Sequence, residues 1–422
     1  MSGTDAIVEV DAIAVPGDLA RPFGASAWAV RIAGGRLVGV APTERAAPRL
    51  RVLVPLLINA HDHGRGLGTV HQGVRDAPLD PWIDDLLATT KPGTQDELVT
   101  IGLQRMLASG VGGAVLCINP TTEDRDTEVR IAATAARNSG MRVAIAYPLT
   151  DVPRGTYREG RHRDPRRRAA AERMLDDVAR LAEEVAGDGI DVLYHPVGPQ
   201  WASEDLLAAV AERSAADGRP VHMHLLETQR QRTWADELYP EGLLTALDEM
   251  GLLNDRSWFA HGVHLTPVEL TVLRDRGCGL VLNASSNLRL SSGIPPIAEA
   301  APGPNVAVGL DGMSLDDDMD MWSELRLVRG LWQGQCCASV PAVDVLALAT
   351  RPASGRALGA AAPPPVAIGA PADFVVLDLT RWVHLATAPN WSIDELLLAA
   401  ASADVVVERW CRGTRLPWKE AA

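Results

Sequence analysis

The sequence predicts an α/β fold: a (β/α)8 TIM barrel with a small β-sandwich domain built from both chain ends. Three observations predict it. From about residue 52 to residue 311, short β-branched runs alternate with long helical stretches, the pattern of repeated βα units and a parallel sheet. Eight such runs occur, the number that closes a barrel. Outside that region, both ends of the chain read as strands separated by glycine turns. The length of 422 residues accommodates a barrel of ~250 residues with a smaller partner.

In chain order, IVEVDAIAV and AWAVRIAGGRLVGVAP are alternating strand patterns, the second folded into a hairpin at Gly34-Gly35. The eight runs follow: VLVPLLIN (52–59), GAVLCI (113–118), RVAIAY (142–147), DVLYH (191–195), PVHMHLL (220–226), SWFAHG (257–262), CGLVLN (278–283) and NVAVGLD (305–311). Between them, DPRRRAAAERMLDDVARLAEEV opens with Asp164 as N-cap and Pro165 at the first helical position. SEDLLAAVAERSAADG ends at Gly218, a C-cap. PADFVVLDL and DVVVERWCRGTRL close the chain as strands, with a turn at Arg412-Gly413. The expected domains are 1–55 with 366–422 as a composite β-sandwich and 56–365 as the catalytic barrel. The alanine-proline stretch at 360–366 marks the return.

Composition narrows the function. Forty Lys+Arg against 54 Asp+Glu give a net charge of −14, which repels phosphate backbones and anionic lipid, so neither nucleic acid nor membrane is expected as a partner. No apolar run approaches the ~18 residues of a membrane span, and the first residues carry no signal-peptide pattern. The five cysteines are scattered without CxxC spacing and read as reduced thiols of a cytoplasmic protein. Only two lysines occur, Lys91 and Lys419. Chemistry that needs a lysine in the middle of the chain is thereby excluded.

Of ten histidines, seven fall at or just beyond the ends of expected barrel strands, where such barrels keep their chemistry. His61 and His63 follow the first run as H-D-H, and residues two apart in extended chain point the same way. The fifth run gives H-M-H-L-L-E, the sixth A-H-G-V-H, and the eighth ends at Asp311. Neutral imidazoles plus a carboxylate suit Zn²⁺ or Fe²⁺ with a position left open for water. The specific signal is that four strands deliver ligand-type side chains at one end of the barrel.

With these residues on hand, the sequence resembles the amidohydrolase superfamily, within it the cytosine deaminase-like and chlorohydrolase-like (triazine hydrolase) branch. NAHDHGRG (59–66), PVHMHLLET (220–228), FAHGVHLTPVEL (259–270), SSNLRLSSGIPPI (285–297), VGLDGMSLDDDMDMWSELRL (308–327) and PADFVVLDL (371–379) carry the resemblance. It implies metal ligands at His61, His63, His224 and Asp311, with Glu227 and His261 in catalysis. Two-metal relatives bridge their ions with a lysine ending the fourth strand. Here that strand ends Tyr194-His195-Pro196, so one divalent ion per chain is expected. The chain departs from the family in reading LVPLLINAHDH without the usual Pro-Gly, and Asn283-Ala284-Ser285 where many members have His-Cys-Pro. The second departure bears on substrate rather than metal.

The expected activity is attack of activated water on an sp² carbon bearing a nitrogen leaving group, as in deamination of a small N-heterocycle or amidine-like compound. In it Glu227 shuttles the proton, His261 polarises the attacked atom and Asp311 orients the nucleophile. Alternatives on the same fold are dechlorination or dealkylamination of a triazine, opening of a cyclic amide, or a non-catalytic ligand-binding homologue. Trp82, His195, Trp201 and Asn283 are candidate substrate contacts. His222 reads as a core histidine, His264 as a loop residue, and His71 as a weaker substrate candidate. His162 and His384 read as surface residues. The arginine-rich stretch 154–168 is expected to be a solvated face rather than a lid, and LDDDMD (315–320) a helix cap rather than a Ca²⁺ loop. A homo-oligomer, dimer or higher, is expected.

Overall fold

The N-terminal segment forms β1 (Ala6–Val10), β2 (Ala12–Ile13), β3 (Ala27–Ala33), β4 (Arg36–Thr43) and β5 (Arg51–Pro55). The next eight strands are β6 (Leu57–Asp62), β7 (Val111–Cys117), β8 (Arg142–Leu149), β9 (Ile190–Pro196), β10 (Val221–Leu225), β11 (Ser257–His261), β12 (Gly279–Leu282) and β13 (Val306–Val308). β14 (Phe374–Asp378), β15 (Val406–Cys411) and β16 (Thr414–Arg415) end the chain. The computed structural model describes all residues except 1–4, 25, 45–48, 90–92, 120–123, 154, 162–163, 313–318, 351, 388–391 and 418–422.

Among the described residues, β6 to β13 make one eight-stranded parallel sheet in unbroken sequence order. The seam between its first and last strands is drawn together just past the end of β13. There Asp311 N donates to His61 O and Leu310 N to the Asn59 side-chain oxygen, each at 2.9 Å. Helices flank the sheet as the sequence predicts. Asp164 caps Pro165–Val185 through Arg166 N, and Gly218 ends Glu204–Asp217 in the left-handed conformation. The bore is filled by Ile58, Val115, Leu193, Trp258 and Val281 among the alanines 60, 144, 146, 260 and 307. Leu358, from the 3-10 segment Arg356–Ala361, joins this cluster as a plug. Trp258 finds room because its neighbour is Gly279, where any Cβ would overlap the indole.

The run 52–59, expected as one barrel strand, divides into two strands of different sheets. β5 pairs antiparallel with β14 from the far end of the chain, and β6 enters the barrel. Pro55 lies at the division, and it has no N–H with which to continue a ladder. Both ends of the chain thus share a mixed sheet in the order β16-β15-β14-β5-β2, beside an antiparallel sheet β1-β3-β4. The two turns read from sequence also meet. Gly35 and Gly413 both have positive φ, and a Cβ on Gly35 would come within 2.9 Å of Gly413 O. Arg142 of β8 pairs with Asp373 at 2.7 Å, fastening the barrel to the terminal sheet. The five cysteines are free, and among the described residues no helix is long and apolar enough to cross a membrane.

Candidate metal centre

Each candidate ligand sits at or just past the C-terminal end of a barrel strand. The register of β6 against β7 shifts between Asn59 and Asp62, an irregularity of the kind that re-aims side chains beside active sites. It sits where His61 and His63 bring their rings to 5.2 Å. Asp62, between them, is tied back by Gly64 N at 2.7 Å and Asn59 Nδ2 at 2.8 Å. His224 lies on β10, and His261 is the last residue of β11. His261 and Asp311 hold positive φ, 74° and 61°, a strain of about 1–3 kcal/mol for a non-glycine residue. Such strain persists only where the surroundings over-determine it.

His61 Nε2 lies 3.1 Å and His63 Nε2 3.2 Å from Asp311 Oδ1. Ligand atoms about 2.0–2.1 Å from a tetrahedral ion stand about 3.3 Å apart, so these three atoms have the spacing of a coordination shell. Possible ligand atoms of His61, His224 and His261 also gather within 4.8 Å of one another. His61 Nε2 and Asp311 Oδ1 are buried and make no hydrogen bond among the described residues, as suits atoms aimed at a common ion. A third grouping, His61, Cys117 and His222, has a different meaning. His61 Nδ1 and His222 Nε2 are 2.7 Å apart, a hydrogen-bond distance too short for two ligands of one ion. The site is therefore built for one divalent metal ion.

Electrostatics agree with that donor set. Burial lowers the His61 ring to about 4 and His195 to about 3, and takes His224 well below its usual value. The rings are neutral at pH 7 and keep a lone pair for a metal. His224 donates Nδ1–H to Val197 O at 2.6 Å, which leaves Nε2 free. Glu227 is 2 % exposed, and burial pushes its carboxyl up to about 7. Its backbone N–H is held by Gln231 Oε1 at 2.7 Å, and one carboxylate oxygen lies 4.0 Å from His261 Nε2.

Two residues given no role from the sequence complete this arrangement. The helix Ala284–Arg289, just past β12, carries Ser286 and Asn287. Ser286 Oγ donates to Asp311 Oδ2 at 2.6 Å, and Asn287 Oδ1 accepts from His261 Nδ1 at 2.9 Å. Buried Glu324 accepts from Ala284 N at 2.7 Å and Ser285 N at 3.2 Å, fixing the start of that helix. The SSN stretch was visible in the sequence, but nothing there said which site group each hydroxyl or amide would meet.

The remaining candidates fall in several settings. His195 is wholly buried, with Nδ1 on His222 O at 2.6 Å and Nε2 without a partner among the described residues. Asn283 is equally buried, and its amide likewise finds no partner there. Trp82 packs at 3 % exposure with Val74, Leu79 and Leu290, whereas Trp201 is partly exposed and meets Tyr157 edge to face. His264 bonds Ser292 O at 3.0 Å, and His384 is exposed. The arginine-rich stretch is not uniformly a solvated face. Arg158 is buried, bonding Ala202 O, Gly160 O and the Tyr239 hydroxyl. Arg154, His162, Asp316–Asp318 and the side chain of His71 lie outside the described residues. Asp320 caps the helix Met321–Cys336.

The amidohydrolase family model matches residues 52–413. The chain belongs to the amidohydrolase family. This amidohydrolase is 28% identical over 362 residues to a 5-methylthioadenosine/S-adenosylhomocysteine deaminase of Haloarcula marismortui, covering 84% of this chain and 78% of the relative. It is 28% identical over 365 residues to a 5'-deoxyadenosine deaminase of Methanothermobacter thermautotrophicus, covering 84% and 79%. In fold it is similar to a zinc-bound adenosine deaminase of Xanthomonas campestris, with a TM-score of 0.77, 24% identity and coverage of 97% and 92%. It is similar too to the atrazine chlorohydrolase of Arthrobacter aurescens, with a TM-score of 0.77, 19% identity and coverage of 96% and 93%. The amidohydrolase is a metal-dependent hydrolase acting on a small molecule.

Proposed function

We propose that this amidohydrolase deaminates a small N-heterocycle or amidine-like compound, with His61, His63, His224 and Asp311 holding one Zn²⁺ or Fe²⁺. The observation that carries the reading is the buried Glu227 carboxyl, pushed up to about 7 by burial, with one oxygen 4.0 Å from His261 Nε2. The metal, when bound, supplies Lewis acidity that brings water toward ionisation near neutral pH. Glu227 takes the proton of the attacking water and returns it to the departing nitrogen, a role suited to a group poised near working pH. His261, with Nδ1 held by Asn287, turns Nε2 toward Glu227 and Asp311 and steadies charge developing on the attacked ring. Ser286 holds one oxygen of Asp311 and leaves the other for the ion. His195 and Asn283, buried near the histidine cluster with atoms unsatisfied among the described residues, are proposed to meet polar ring atoms, and Trp201 to flank the ring. Similarity to two deaminases of adenosine derivatives favours a purine or its nucleoside among the candidates.

The test is ammonia release from a panel of purines, purine nucleosides, pyrimidines, pterins and aminotriazines, with chloride and alkylamine release measured in parallel. Ammonia from one of these substrates is expected. Chloride or alkylamine release in its absence would overturn the reading. The net charge of −14 speaks against nucleic acid as a partner. Assembly into a dimer or higher oligomer belongs to the proposal, with light scattering as its measurement. So does the division into 1–55 with 366–422 and 56–365, with limited proteolysis as its measurement.

A further inference from the structure

The ring of His61 is held differently from its neighbours. His224 donates Nδ1–H to Val197 O at 2.6 Å, and His261 donates to Asn287 Oδ1 at 2.9 Å. Both partners are oxygens that only accept, so each fixes a proton on Nδ1. His61 Nδ1 instead meets His222 Nε2 at 2.7 Å, with the rings 5.0 Å apart and 19° from parallel. An imidazole nitrogen stands on either side of a hydrogen bond, according to which ring carries the proton there. Cys117 Sγ, 3.5 Å from the same Nδ1, is a weak donor and a weak acceptor.

We propose that His222 is a positioning residue of the metal centre, accepting the Nδ1 proton of His61 and so fixing the tautomer and ring plane that turn Nε2 to the ion. The proposal rests on His61 being a ligand. It assigns a purpose to a fully buried histidine, two residues before His224 on β10. In the metal-holding arrangement His61 carries its proton on Nδ1 and donates it, and His222 carries its own on Nδ1 with Nε2 bare. The second nitrogen of a ligating histidine is ordinarily held by a carboxylate, a carbonyl or water; here another imidazole does this.

Glutamine and asparagine at position 222 separate positioning from filling space. The amide of glutamine reaches where imidazole Nε2 stood, whereas that of asparagine reaches only to the place of Nδ1. Metal affinity is measured for His222→Gln, His222→Asn and the parent by competition with a chromophoric chelator, with a thermal melt for each. His222→Asn is expected to lose about 10–100-fold in affinity, the effect of removing an outer partner of a ligating histidine. His222→Gln is expected to stay within a few-fold of the parent. Equal affinities for the two variants, both kept or both lost, overturn the proposal. His61→Ala is run beside them: if it binds metal as tightly as the parent, the ligand assignment has failed rather than the role of His222. Should the variants not fold, ¹⁵N-histidine spectra of the zinc-loaded parent decide. A proton on His222 Nδ1 with a bare Nε2 is expected, and a proton on His222 Nε2 overturns the proposal.

Discussion

Glu227 and His224 are three residues apart and differ in what their loss should do. Glu227→Gln keeps the shape and removes the proposed base, so the protein should keep its metal and lose on the order of 10²–10⁴-fold in kcat. His224→Ala should lose metal occupancy together with activity. Elemental analysis beside the rate measurement checks both, and near parental turnover by Glu227→Gln would move the proton shuttle elsewhere. The same carboxylate leaves a mark on stability. Its folded value, raised to about 7 by burial, lies above the unfolded value of a glutamate. Between about pH 4.5 and 7 the folded state therefore binds more protons than the unfolded state, and stability falls as pH rises through that window. His61 and His195, lowered by burial, work in the opposite sense below about pH 6.5. The comparison must thus be between parent and variant. The Tm of metal-free Glu227→Gln, relative to metal-free parent, should rise from pH 5 to pH 7.5. A constant difference would mean that Glu227 is not desolvated.

At the scale of an element, the helix Ala284–Arg289 matters more than its six residues suggest. It presents Ser286 to Asp311 and Asn287 to His261 on consecutive positions, and Glu324 anchors its first turn. Asn287→Ala should retain metal while losing about 10–100-fold in kcat, the range for an outer partner of a site histidine. Loss of metal instead would place His261 among the ligands. The segment after β8 was expected to lie open to solvent, yet Arg158 is buried in bonds to backbone and Tyr239. Its loss should therefore act on stability rather than on substrate binding. Arg158→Leu is expected to cost about 1.5–3 kcal/mol, the range for charge-assisted hydrogen bonds, with KM unchanged. Chemical denaturation and steady-state kinetics check it together.

For the whole molecule, one divalent ion per chain is the expected stoichiometry of well-occupied protein, since one coordination shell is available among the described residues and the fourth barrel strand carries His195 rather than lysine near its end. The Arg142–Asp373 pair joins the barrel to the terminal sheet almost out of reach of water, Asp373 also accepting from Arg412 N at 2.6 Å. Arg142→Met leaves a buried carboxylate without its cation and should cost about 3–5 kcal/mol, read from denaturant titration. The sequence by itself determined the barrel, because the alternation of strand and helix is a local pattern. It likewise pointed to the residues proposed as ligands, because strand ends and HxH spacing place side chains without reference to distant chain. It did not reveal that the run 52–59 serves two sheets, since the partner of β5 is β14, over three hundred residues away. Nor did it reveal which groups hold His61, His261 and Asp311 in place. Those bonds join β6 to β10, β11 to the helix after β12, and that helix to Asp311. Only closure of the barrel brings such atoms within hydrogen-bonding distance, because the contact depends on the angle and register between strands rather than on any spacing along the chain.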